Sequence, residues 1–379
     1  MNILPIELQP FDQNRLHQFL KKEGIACLST DTLSDYLVLG TKSLKQKIDQ
    51  KCQQLIQDLH PLLHSYPLPN PDVLTLDLAF CQTLEGEGWD LAWVEAQAFT
   101  SMLGSFGSLL AAHQHLGHFN HQTSHDLLPL NVSWHEHARH WMAPHSANVL
   151  IEDKPWERVG FGDFQATQYW WGCDIVDWRQ LEAQDGWIID PQNQTIYQHI
   201  NNRLIFSDLN KEDVPLAKHL YRQAYRVSWH SHPAWYEILH KGSLVEAQLQ
   251  NHEQCYWIED SDETLFTQNP QDWVFKEIHG HSSEQVLLSP TLHDFYRLRI
   301  TQKRWLMQKR FYQIPLGKTK NKIPLYGEIR CMIGLKPSQP PFVLAYLMRL
   351  NQNGIATLSH RIKQEGEGLT LLVFPNEHS

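Results

Sequence analysis

Between residues 11 and 65 apolar positions recur at spacings of three and four, at Leu16, Phe19 and Leu20 and again at Ile48, Leu55, Ile56 and Leu59. That period predicts amphipathic helices forming a supporting layer. From Val73 to Phe99 the pattern changes to two apolar runs separated by Thr83-Leu84-Glu85-Gly86-Glu87-Gly88, which predicts a β-hairpin, with a helix following near Ser108. After a histidine-rich stretch ending at Pro144-His145, residues 148–152 predict a buried strand, 164–171 a helix and 173–176 the next strand, a βαβ-like alternation. Residues 185–190 and 195–197 predict a small hairpin leading into residues 202–206. Residues 212–250 read as helical, and the chain from 273 onward as strands joined by loops. The expected class is α+β with an α/β subdomain, in three units: residues 1–145 (helical layer plus hairpin), 146–230 (α/β) and 231–379.

Composition narrows the function classes. The chain has 379 residues, 42% hydrophobic and 20% charged, with no apolar run long enough to span a bilayer, so no membrane role is expected. Met1-Asn2-Ile3-Leu4-Pro5 carries no readable secretory signal, and a cytoplasmic location is expected. A formal charge of −10 argues against nucleic acid as a partner. The six cysteines lie far apart without CxxC spacing and are expected to be reduced. The run His113, His115, His118, His121, His125, His135, His137 and His140 suggests metal, but it lacks the HExxH arrangement, and its mix of Gln, Asn and Pro favours structural or solvent-facing histidines.

Candidate chemistry begins in the hairpin. Glu95 and Gln97, two positions apart on a strand, share one face, and folding about Gly86 places Asp77 opposite Glu95. Opposed carboxylates destabilise a sheet unless neutralised, and oxygen donors of this kind suit Mg²⁺ that keeps positions for water and phosphate. Acids facing solvent are the alternative. Farther on, Lys276 sits inside the apolar run 273–278, where an ammonium requires an anion, and Gly280, Ser282 and Ser283 follow in a loop of small residues able to close over phosphates. A surface lysine beside a turn is the other reading. Glu328 with Arg330, and Arg349 with Asn351, project as i, i+2 pairs from two strands. The arginines could neutralise charge during phosphoryl transfer while Glu328 orients one of them, or the pairs could form an exposed salt-bridge face.

The order of these stretches resembles the circularly permuted ATP-grasp proteins, the group that includes glutathionylspermidine synthetase and, more distantly, eukaryotic-type glutathione synthetase. The Asp77 to Gln97 hairpin looks like the group's Asp-then-Glu-x-Asn magnesium motif, with Gln97 in place of Asn. The segment from His232-Pro233-Ala234-Trp235 to Lys241 looks like the one carrying the first phosphate-binding lysine. Phe275-Lys276 with Gly280 and Ser283 looks like the second lysine and its covering loop, and Gln308 stands where the adenine-binding linker begins. Residues 149–176, with Gly172, resemble the small α/β domain that precedes ATP-grasp modules, and Asn202-Arg203 its late Asn-Arg pair. Together these matches span roughly residues 72–105 and 148–358. The resemblance implies an ATP- and Mg²⁺-dependent ligase joining a small-molecule or peptide carboxylate to an amine through an acyl-phosphate. It implies Asp77, Glu95 and Gln97 on the metal, Lys241 and Lys276 on the phosphates, and Arg330 and Arg349 in catalysis. Arg203, Glu328 and Asn351 are candidates for substrate contact. Phosphotransfer to a hydroxyl or water, and a nucleotide- or partner-binding protein on a degenerate scaffold, are the rival readings. Substrate identities and the oligomeric state are left open.

Overall fold

The apolar run beginning at Val73 forms β3 (Val73–Gln82), whose first nine residues are all buried, and it pairs antiparallel with β4 (Trp89–Gln97). A strand covered on both faces has to lie inside a sheet. β3 does so in a computed structural model that describes residues 4–25, 29, 32–83, 88–98, 101–118, 147–246, 255–278, 286–335, 340–354 and 363–374. The main sheet has eight strands. It runs β1 (Ile6–Pro10), β2 (Tyr36–Gly40), β19 (Gly368–Val373), β18 (Phe342–Asn351), β17 (Pro324–Gly334), β3, β4, with the short β16 (Gly317–Lys318) beside β17. All its pairs are antiparallel except β19 with β2. Strands from both ends of the chain therefore share one sheet.

Helix α1 (Gln13–Lys22) and helix α2 (Lys42–His64) follow the predicted period, with Leu16, Leu20, Ile48, Leu55 and Leu59 buried. The structure adds β1, ahead of that stretch, and β2, which the helical reading of residues 11–65 passes over. Helix α2 covers one face of the main sheet: the Tyr346 hydroxyl bonds Asp49, and Cys331, opposite Tyr346 on β17, lies on that face. The other face carries the alternate residues Glu328 and Arg330.

Residues 148–229 build a parallel four-stranded sheet ordered β11 (Ser228–Trp229), β10 (His199–Asn202), β5 (Asn148–Glu152), β6 (Asp174–Asp177). The crossover from β5 to β6 is helix α4 (Phe161–Trp171), ended by Gly172 in the left-handed conformation, φ +66°. A small antiparallel sheet of β7 (Glu182–Gln184), β8 (Trp187–Asp190) and β9 (Thr195–Tyr197) contains the predicted hairpin. Helix α3 (Leu103–His115) crosses α4 closely: a Cβ on Gly104 would stand 2.5 Å from the backbone nitrogen of Thr167. Asp163 of α4 accepts from the Met102 and Ser105 amides at 3.0 and 2.9 Å, capping the start of α3, and from Arg203 at 2.9 Å.

Within the stretch 212–250 the structure holds one full helix, α5 (Asp213–Gln223), then β11 and the short helices Ala234–Ile238 and Ser243–Glu246. The last sheet is ordered β12 (Cys255–Trp257), β15 (Trp305–Lys309), β13 (Trp273–Glu277), β14 (Val286–Leu287). Trp273, Phe275 and Met307 face a separate core with Phe266 and Phe295. Phe295 belongs to a helix, Leu292–Arg299, that the strand reading from residue 273 onward did not include. No helix among the described residues is long and apolar enough to cross a membrane. Cys52, Cys173 and Cys331 are free thiols.

Candidate active site

A cavity of about 620 Å³ opens where the main sheet, the segment after β10 and the β12–β15 sheet meet. From β4 it takes Glu95 and Gln97, from β17 Glu328 and Arg330, from β18 Arg349, from β13 Lys276, and from the turn after Ala234–Ile238 Lys241. Seven of the residues singled out in the sequence thus converge from five separate elements.

Strand register explains the convergence. Directly paired residues of antiparallel neighbours share a face, and Glu95 is paired with Asp77, Asp77 with Arg330, and Glu328 with Arg349. The Asp77–Glu95 pairing is the one expected, but it depends on a bulge. Beyond it Leu78 lies opposite Trp93, so the hairpin does not keep one register about Gly86.

The like-charge conflict between Asp77 and Glu95 is met by guanidinium groups. Arg330 donates from Nε and Nη2 to the two oxygens of Asp77, at 2.9 and 2.7 Å, and Arg349 Nη2 donates to Asp77 at 2.7 Å. Arg349 is also paired with Glu328, and Arg330 Nη2 lies 4.0 Å from Glu95. Asp77 is fully buried. Burial alone would raise its pKa, but the charges of Arg330 and Arg349 and their hydrogen bonds more than reverse this and hold the carboxyl well below the usual carboxylate range. Arg349 Nε is buried and finds no acceptor among the described residues, an orphan donor at the cavity wall.

Glu95 and Gln97 sit side by side, Gln97 Nε2 donating to Glu95 at 2.8 Å. Both residues line the cavity, and a carboxylate beside an amide oxygen suits magnesium, a hard cation that takes few protein ligands and retains water and phosphate oxygens. Among the described residues no group of three or more His, Cys, Asp or Glu could hold a metal ion by itself. Asp77 lies beneath this wall rather than on it.

Lys276 owes its position to strand alternation. Val274, Lys276 and Ile278 line the cavity while Trp273 and Phe275 enter the core behind, and Val286 and Leu288 extend the same wall. The surface is therefore apolar with one ammonium. Lys241 is placed by Trp235, which is fully buried and donates from Nε1 to the Pro69 carbonyl at 2.7 Å, tying the turn to the start of the main sheet. Burial depresses the pKa of Lys241 and nearby Lys276 depresses it further, with Glu95 and Glu277 opposing. Such a pair of ammonium groups gains from an arriving anion.

Other candidates fall elsewhere. Gln308 is paired with Val274 but wholly covered, and Arg310, Phe311, Tyr312 and Gln313 of the following linker line the cavity instead. Asn351 is buried beside the wall and accepts from the Asn353 amide at 3.2 Å. Arg203 is engaged with Asp163, its guanidinium 4.8 Å above the Phe164 ring, where it joins the parallel sheet to α4. Gly280, Ser282 and Ser283 lie outside the described residues, as does the histidine run beyond His118. Of its described members, His113 packs on Phe11 with ring centroids 4.7 Å apart and His115 on Phe19 at 4.2 Å, a packing role. The linker residues and Asp208, which follows β10 and also lines the cavity, carried no periodic or motif signal.

No family model matches the chain, and no curated protein matches it in sequence. Solved structures do match. The chain is similar to a glutathione synthetase-like effector from Globodera pallida, in its apo form, at 13% identity and a TM-score of 0.53, over 93% of this chain and 97% of that one. At that identity the likeness speaks for the fold alone: a mixed α/β arrangement like that of the effector.

Proposed function

We propose that the chain is an ATP-dependent ligase on a circularly permuted ATP-grasp fold, joining a small-molecule or peptide carboxylate to an amine through an acyl-phosphate. One observation carries this reading: lysines from two segments, two arginines, and a carboxylate with an adjacent amide share one cavity with an apolar wall. A nucleotide asks for that combination, a dry surface for the base and converging cations for the phosphates.

In this reading Lys241 and Lys276 bind the phosphates, Val274, Ile278 and Leu288 cover the base, and the linker from Arg310 to Gln313 borders it. Glu95 and Gln97 hold Mg²⁺; the motif resemblance would add Asp77 to that set, but both its oxygens already accept from Arg330 and Arg349. ATP supplies the phosphoryl group that activates the substrate carboxylate. Arg330 and Arg349 are charged in the resting site, so neutralising the charge that builds up during transfer needs no reorganisation. Ser101, which accepts from Arg330 Nη1 at 3.4 Å, steadies that group.

Calorimetric titration with ATP in the presence of Mg²⁺ tests the site. Binding is expected in the wild type and is expected to weaken by roughly tenfold to a hundredfold in Lys276→Ala and Glu95→Ala, the loss typical of one charge-assisted contact to phosphate or metal. ADP release that requires both a carboxylic acid and an amine then separates a ligase from a kinase. A wild type that does not bind Mg²⁺·ATP removes the proposal.

A further inference from the structure

Asp77 stands apart from the acids around it. Glu95 and Glu328 reach the cavity wall; Asp77 has no exposed surface, and both its oxygens already accept guanidinium N–H groups, three in all from two neighbouring strands. We propose that Asp77 positions the two arginines and is no ligand to a cation, so that the metal-facing role of the hairpin belongs to Glu95 and Gln97. The inference rests on reading the cavity as an anion site.

The geometry argues this in three steps. Arg330 is the register partner of Asp77 on β17, so its planar fork meets the carboxylate side-on, Nε to one oxygen and Nη2 to the other. Arg349 comes from the next strand, paired with Glu328, and reaches the same Asp77 oxygen that Arg330 Nη2 occupies. Two guanidinium groups this close repel, and a carboxylate between them lets both stay charged and adjacent. A cation would need direct contact with an Asp77 oxygen, and to provide it Asp77 would have to abandon buried arginines. Outside the clamp, among the described residues, Arg349 Nε is buried without an acceptor and Arg330 Nη1 makes a long bond to Ser101, at 3.4 Å.

Two titrations of the full chain separate the roles: Mn²⁺, followed by electron paramagnetic resonance, and tripolyphosphate, followed by calorimetry. Asp77→Asn is expected to keep Mn²⁺ affinity within about twofold of the wild type, weaken tripolyphosphate about tenfold, and add nothing further in an Arg330→Gln/Arg349→Gln background. Glu95→Gln is expected to weaken Mn²⁺. A loss of Mn²⁺ affinity in Asp77→Asn as large as that in Glu95→Gln overturns the assignment, and so does a tripolyphosphate loss undiminished in the arginine-free background. Because Asp77→Asn weakens the partner of two buried guanidinium groups and can impair folding, the wild type supplies a second readout. The ¹⁵N signal of Arg330 Nε–H is identified by its absence from Arg330→Gln. Slow solvent exchange of that proton, unchanged at saturating Mg²⁺, supports the clamp, and its release by Mg²⁺ overturns it. A wild type that binds no ATP removes the ligase reading, but the Arg330 signal still decides the role of Asp77, because that bond needs no nucleotide.

Discussion

Glu152 ends β5 with its side chain buried, and burial pushes its carboxyl up to about 7 against the Asp153 amide, Arg158 and Arg203. An acid whose folded pKa lies above its unfolded value keeps its proton in the native state after the unfolded chain has released it. Its contribution to stability is thus fully present below the unfolded value of 4.5, declines as pH rises toward 7, and is absent above. Asp77 has the opposite sign: its depressed pKa stabilises above the ordinary carboxylate range, and that stability is lost as pH falls through the folded value. Glu152→Gln keeps an oxygen for the Asp153 amide, which Glu152 accepts at 2.7 Å. The variant is expected to remove the decline between pH 5 and 7 and to exceed the wild type by roughly 2–3 kcal/mol at pH 8, measured by urea unfolding. A variant whose stability runs parallel to the wild type across that range would show that Glu152 ionises normally. Neither environment was legible beforehand. Period-two spacing puts Glu95 with Gln97 and Glu328 with Arg330 on common faces, but it does not name the neighbouring strand. Arg330 and Arg349 lie more than 250 positions from the carboxylate they hold.

Among elements, legibility followed the length and consistency of the pattern. The run 148–152 is uniformly buried and was read to the residue. β1 and β2 were missed: β1 alternates Ile6 and Leu8 with Glu7 and Gln9 at a sheet edge, and β2 is a short apolar run set between two strong helical patterns. The helix Leu292–Arg299 did announce itself, through a capping box in which Thr291 accepts from the Asp294 amide and Asp294 from that of Thr291, but a strand-rich reading of the region hid it. The turn carrying Lys241 shows a constraint visible only in three dimensions. A Cβ on Gly242 would lie 2.1 Å from Trp257 Cη2, and the Arg304 guanidinium lies 3.6 Å from the centroid of the same ring. At that separation something must shift, and the backbone beside Lys241 adjoins the contact. Gly242→Ala is expected to weaken Mg²⁺·ATP about tenfold with little change in melting temperature, the cost of misplacing one phosphate contact. Adding Trp257→Leu, which makes room for the methyl group, is expected to restore most of that affinity. An undiminished loss in the double variant would place the effect elsewhere.

At the scale of the molecule, the cavity has walls from structures with separate cores: the main sheet contributes Arg330 and Arg349, and the β12–β15 sheet, with its own aromatic cluster, contributes Lys276 and the apolar surface. A ligand touching one wall stabilises that unit alone, whereas one touching both links them, and its binding energy adds to the stability of the whole fold. AMP and ATP distinguish the cases. AMP carries the base and a single phosphate and should engage only the β12–β15 side; the triphosphate extends toward the arginines. At concentrations a hundredfold above Kd, each ligand contributes about 2.7 kcal/mol to the unit it binds. With Mg²⁺ present, ATP is expected to raise a single cooperative melting transition by a few degrees, while AMP raises only the part of the transition that belongs to the β12–β15 sheet. Arg349→Ala should reduce the ATP response to the AMP response, since it removes the far anchor and leaves the base surface intact. Equal shifts for AMP and ATP, unchanged in Arg349→Ala, would mean that the phosphates never reach the main sheet, and the phosphoryl-transfer geometry would fall with that result.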